Sequence, residues 1–66
     1  MQIKVNGQLV ELAEMLTITD FIKSKNLKPD SLVIQYNYKI LKREEWSNTI
    51  LKENDELEIL NFVGGG

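Results

Sequence analysis

Three of the four glycines in this 66-residue chain stand together as Gly64-Gly65-Gly66, directly after the apolar Phe62 and Val63. Residues without Cβ are costly to order, so a run of them at a chain end builds neither helix nor strand. Two readings are open. One is a frayed end or an expression scar. The other makes the α-carboxylate of Gly66 the reactive group. A carboxylate is a poor electrophile, so attack on it requires prior activation, for example as an acyl-adenylate made from ATP by another protein. Such a partner must admit the tail into a narrow slot that any side chain would block. The four residues from Val63 span roughly 13 Å when extended. Residues 64–66 then read as a flexible reactive arm and residues 1–63 as the domain that carries it.

Composition narrows the remaining chemistry. The chain has no Cys and no His, with 8 Lys plus Arg against 10 Asp plus Glu, a net charge of −2. That removes thiol catalysis, disulfide scaffolds, the usual zinc modules and the commonest general base. A chain this short buries only about 60% of the surface its unfolded form exposes, so it holds one modest core and no deep cleft. Neither an enzyme nor a bound cofactor or metal is expected. Nucleic acid needs a concentration of cations, and only Lys39, Lys42 and Arg43 lie close together, which suits a solvated strand edge. No segment has the pattern of a signal peptide or membrane span, so the cytoplasm is the expected compartment.

The elements that must carry the tail follow from local signals. Gln2 to Val5 and Gln8 to Leu12 read as strands joined by Asn6-Gly7, the dipeptide best suited to the two positive φ angles of a type I′ turn. Ile3, Val5, Leu9 or Val10, and Leu12 supply the inward face. Thr17-Ile18-Thr19-Asp20 offers a capping box, and Ile18, Phe21 and Ile22 share one face of a helix of about ten residues, which Asn26 and Pro29 end. Leu32 to Tyr36 reads as a strand, Asn37-Tyr38 as a turn and Lys39 to Leu41 as a short return strand. Lys42 to Asn48 is a loop with one helical turn, and Leu57 to Phe62 is the last strand. This order predicts an α+β domain, a mixed sheet of about five strands with one helix packed across it.

Strand parity separates Leu57 and Ile59 from Leu60 and Phe62. With the first pair facing the helix, Leu60 and Phe62, with Val63 beside them, either form an apolar docking surface or complete a second small core. Glu53, Asp55, Glu56 and Glu58 form an acidic patch near the same strand, either steering a basic partner or simply solvated. Trp46 is read as a lid on the core, and one of Tyr36 and Tyr38 is expected to leave it.

Taken together, Met1-Gln2-Ile3 with Asn6-Gly7, Thr17-Ile18-Thr19-Asp20-Phe21-Ile22, Asn37 with Arg43-Glu44-Glu45-Trp46, Asn54-Asp55-Glu56-Leu57-Glu58-Ile59 and the closing Gly65-Gly66 resemble the ThiS family. These are the sulfur carriers of thiamine biosynthesis, within the ubiquitin-like β-grasp superfamily. Two departures are Lys42 in place of a proline and Asn54 in place of a glycine. The resemblance implies adenylation of the Gly66 carboxyl by a ThiF-like, ATP-dependent enzyme and conversion to a thiocarboxylate with sulfur from a cysteine desulfurase. It further implies delivery of that sulfur to a ThiG-like thiazole synthase, with ATP used by the activating partner and no cofactor on the carrier. Gly65 flanks the reactive residue and Gly64 lengthens the arm. Three alternatives share parts of the pattern: a MoaD-like molybdopterin sulfur carrier, a ubiquitin-like protein modifier joined through Gly66, and a plain binding module. MoaD-like chains tend to be longer and to carry proline where Val63 stands here.

Overall fold

Asn6 and Gly7 adopt φ of +51° and +82°, the paired left-handed geometry of a type I′ turn, and they join β1 (Gln2–Val5) to β2 (Gln8–Glu11) with Val5 opposite Gln8. In this computed structural model, which describes residues 1–62, Val10 faces the core, whereas Leu9 is exposed. Leu12 lies one residue past β2 but is buried, and its N–H still reaches the Met1 carbonyl at 2.7 Å.

The helix α1 (Ile18–Ser24) starts as expected: the Thr17 hydroxyl accepts from the Asp20 N–H at 3.1 Å. It is shorter than the ten residues expected because Asn26 turns left-handed early, at φ +58°. The Asn26 N–H then donates to the Lys23 carbonyl and the Leu27 N–H to the Ile22 carbonyl, so the last carbonyls are satisfied in a Schellman motif before Pro29 is reached. Ile18, Phe21 and Ile22 are fully buried against the sheet. Each such side chain contributes about 1.5–3 kcal/mol relative to exposure, which holds a seven-residue helix that could not persist alone.

After a single 3₁₀ turn (Pro29–Ser31) come β3 (Leu32–Tyr36) and β4 (Lys39–Leu41), joined by Asn37 and Tyr38 at φ +47° and +74°. A second 3₁₀ segment, Arg43–Asn48, sets Trp46 on the core at 4% exposure, where its indole N–H donates to the Leu41 carbonyl at 3.2 Å. The following residues cross below the helix: Thr17 bridges Ile50, and Leu51 is wholly buried, a core position that its polar neighbours concealed in the sequence. The last strand, β5 (Glu56–Asn61), runs parallel to β1 and antiparallel to β3, giving the order β2-β1-β5-β3-β4. A five-strand mixed sheet crossed by one helix is the β-grasp arrangement anticipated above.

Two of the expected turn substitutions are explained. Asn54 takes φ +70°, a left-handed position that asparagine tolerates better than other residues with a Cβ. Lys42 takes φ −67°, a proline-compatible value.

The reading of Asp55 is also corrected. Asp55 is not part of a surface acidic patch: it is 6% exposed, and its carboxylate accepts from the Tyr36 hydroxyl (2.8 Å), the Asn37 side-chain amide (3.1 Å) and the Lys52 N–H (2.7 Å). Its negative charge is spent on ordering the approach to β5, since a buried carboxylate must be hydrogen-bonded or it destabilises the fold.

Asp55→Ala strands three donors and is expected to cost about 2–3 kcal/mol in urea denaturation; a loss below about 1 kcal/mol would mean that water replaces the carboxylate. Burial, and then the hydrogen bond to Asp55, pushes the Tyr36 phenol up to about 12 from its ordinary 10. The unfolded chain therefore releases that proton first, and the stability linked to it is complete below pH 10 and lost as pH rises through about 12. Tyr36→Phe is expected to flatten the fall of Tm across this window, and an unchanged slope would assign the alkaline transition to another group.

Candidate functional site

The site is built on the outer face of β5 and the point where the chain leaves it. Leu57 is buried and Ile59 half-buried toward the helix, so strand alternation turns Glu58 and Leu60 to the opposite side of the sheet. Leu60 is 59% exposed and Phe62 50% exposed, so they complete no second core. The Phe62 N–H still donates to the Ser31 carbonyl at 3.0 Å. The ladder is thus intact up to the last described residue. Val63, Gly64, Gly65 and Gly66 lie outside the described residues.

Register extends this surface beyond what the last strand alone suggested. Val33 of β3 stands directly opposite Leu60, and Ile40 of β4, 67% exposed, stands opposite Gln35. Leu60, Val33 and Ile40 therefore share the helix-free face across three adjacent strands, with Phe62 at its edge. Sequence reasoning passed over Val33 and Ile40 because their face depends on the β3–β5 and β3–β4 registers, which no local pattern states. Apolar groups gathered on one exposed face of so small a domain make it a candidate interaction surface.

The charge around it is modest. With Asp55 buried, the acidic residues near the strand are Glu53, Glu56 and Glu58. Glu53 accepts from the Gln2 N–H at 3.1 Å and Glu56 from the Tyr38 hydroxyl at 2.8 Å, while Glu58 is exposed. Tyr38 is the tyrosine that leaves the core, at 75% exposure, and its bond to Glu56 raises its pKa above the ordinary phenol value. On the far edge, Lys39, Lys42 and Arg43 are all exposed, and Arg43 pairs with Asp30. Such an exposed pair contributes little to stability. Among the described residues, no three His, Cys, Asp or Glu side chains converge as a metal site, and no helix is long and apolar enough to cross a membrane.

The body offers an apolar face beside a strand whose direction is set by pairing on both edges.

Similarity to known proteins covers both the body and the end. The ThiS family matches residues 3–66. The sulfur carrier protein ThiS of Bacillus subtilis (strain 168) is 34% identical over 50 residues, covering 76% of each chain. A thiazole synthase of Magnetococcus marinus is 24% identical over 66 residues, which is the whole of this chain and 20% of that protein. The crystal structure of the thiamine biosynthesis protein (ThiS) from Geobacter metallireducens superimposes with a TM-score of 0.86 at 30% identity, over the full length of both chains. With the family matched from residue 3 to residue 66 in sequence, this chain belongs to the ThiS family.

Proposed function

We propose that the protein is a cytoplasmic sulfur carrier of thiamine biosynthesis whose working group is the main-chain carboxylate of Gly66. The observation that carries the reading is that family similarity runs to residue 66, through the glycines, in a chain with no cysteine to hold sulfur. In the first step a carboxylate oxygen of Gly66 attacks the α-phosphorus of ATP held by a ThiF-like enzyme, and pyrophosphate leaves. A persulfide sulfur formed by a cysteine desulfurase then attacks the acyl carbon and displaces AMP. A second thiol of the sulfur-donating partner attacks the resulting acyl disulfide, supplying two electrons, forming a disulfide and releasing the thiocarboxylate. The thiocarboxylate donates its sulfur to a ThiG-like thiazole synthase. The carrier contributes no general acid or base and binds no cofactor; ATP belongs to the activating partner.

The residues of the chain divide the work. Gly64 and Gly65 pass through a slot too narrow for side chains, and Val63 marks where the arm begins. Leu60 and Phe62, continued by Val33 and Ile40, dock the body so that the arm is aimed. Support for the synthase as a partner comes from the Magnetococcus marinus thiazole synthase, one fifth of which aligns with this entire chain. A carrier-like segment joined to a synthase is placed at high effective concentration beside its acceptor.

Intact-mass analysis after incubation with ATP, a ThiF-like enzyme and a sulfur donor tests the chemistry. Replacement of one carboxylate oxygen by sulfur is expected, and removal of Gly66 is expected to abolish it. Conjugation to lysines would instead indicate a modifier, no change would indicate a binding module, and acceptance only by a molybdopterin-forming synthase would indicate the MoaD-like role. For the docking face, Phe62→Ser is expected to lower the rate of adenylation at least about tenfold, the loss of one interface anchor, while Tm stays within a few degrees. A large fall in Tm with normal adenylation per folded molecule would sink the docking role.

A further inference from the structure

The two hairpin turns hold the central strand from opposite edges in the same way. At the β3–β4 turn, the Asn37 N–H donates to the Glu56 carbonyl and Asn37 Oδ1 accepts from the Glu56 N–H, both at 2.8 Å. At the β1–β2 turn, the Asn6 N–H donates to the Leu57 carbonyl at 2.9 Å. Its side chain then reaches one rung further: Oδ1 accepts from the Ile59 N–H at 2.7 Å, and Nδ2 donates to the Ile59 carbonyl at 3.3 Å.

That rung exists because backbone pairing runs out. β1 pairs only Lys4 and Val5 with β5 before the chain turns back at Gly7. The Asn6 carboxamide, which carries one donor and one acceptor like a peptide group, continues the ladder in place of a strand. The turn itself does not require it, because glycine would accept φ +51° at no steric cost. Ile59 immediately precedes Leu60 and lies three residues before Phe62. On the other edge the same end of β5 is held by the Ser31 carbonyl through Phe62. With the Asn6 rung gone, the strand end is tethered along one edge only and is free to twist about it.

We propose that Asn6 is a positioning residue for tail activation: by clamping both polar groups of Ile59 it fixes the direction in which the end of β5 leaves the sheet, and so the aim of the Leu60–Phe62 face. The inference rests on the carrier reading above. A misdirected end lowers the fraction of molecules competent to dock, and apparent affinity falls by that fraction. Once docked, the tail is held by the partner's slot, so turnover at saturation is spared.

The test uses the full-length chain and the Asn6→Gly and Asn6→Asp variants. Glycine keeps the turn and removes the clamp. Aspartate keeps the acceptor for the Ile59 N–H and removes the donor. In Asn6→Gly, Ile59 amide exchange is expected to quicken about tenfold or more while that of Ile34 is unchanged. In pyrophosphate exchange with a ThiF-like enzyme, the KM for the carrier is expected to rise about five- to tenfold with kcat within about twofold. Asn6→Asp is expected to lie between Asn6→Gly and wild type in KM. Wild-type Ile59 exchange in Asn6→Gly overturns the clamp, and a wild-type KM despite lost protection overturns its role in aiming that face. If Asn6→Gly does not fold, Asn6→Asp decides, and a wild-type KM there overturns the proposal. A wild-type chain that supports no pyrophosphate exchange counts against the carrier reading itself, and Ile59 exchange then judges the clamp alone.

Discussion

Everything in this molecule depends on keeping the backbone of one strand satisfied on both edges. β5 is central in the order β2-β1-β5-β3-β4, yet β1 pairs only with Glu56 and Leu57 and β3 only with Leu57 to Asn61. Where a neighbouring strand stops short, side chains continue the pairing. Asn37 meets it at Glu56, Asn6 at Ile59, and Asp55 closes the approach by tying Tyr36, Asn37 and Lys52 together. A strand held in this way can carry function at its far end without a cleft or any catalytic side chain.

The same economy explains the distribution of residue types. The sharp left-handed positions of the body fall to Asn6, Asn26, Asn37, Tyr38, Asn54 and Gly7. Asparagine pays a smaller entropic penalty than glycine on folding and brings a carboxamide that is used again at Asn6 and Asn37. Tyr38 is the costly one, a bulky side chain at φ +74°, and its hydroxyl is anchored on Glu56. With a single exception in the first hairpin, the glycines stand together at residues 64–66.

Much of the fold was legible because its signals are local. Asn6-Gly7 states a hairpin, Thr17 states a helix start, and the alternation of β3 states a strand with one buried face. The sequence marks Asn26 as a stop together with Pro29, but the helix ends at Ser24 because a left-handed Asn26 needs the residue before it as a cap. Asp55 was misread for a related reason: in the run from Glu53 to Glu58 all four acids look alike, and only the strand pairing that brings Tyr36 and Asn37 alongside singles one out for burial. The same limit hid Leu51, Val33 and Ile40, whose surroundings are made by residues distant in sequence. At the site, the parity of Leu60 and Phe62 was readable from the strand itself, whereas the Asn6 clamp spans 53 residues and left no mark on either end.

The parallel pairing of the first strand with the last has a further consequence for how the molecule is made. Without β5 the sheet separates into two hairpins, β1–β2 and β3–β4, neither of which is stable alone. The contacts that unite them have high sequence separation, so the loop-closure entropy of nearly the whole chain must be met before they form. During synthesis, the emerging chain cannot complete its core until Glu56–Asn61 has left the ribosome. A truncated product lacking this strand would lack the folded body. Incomplete chains therefore present unfolded hairpins to proteolysis.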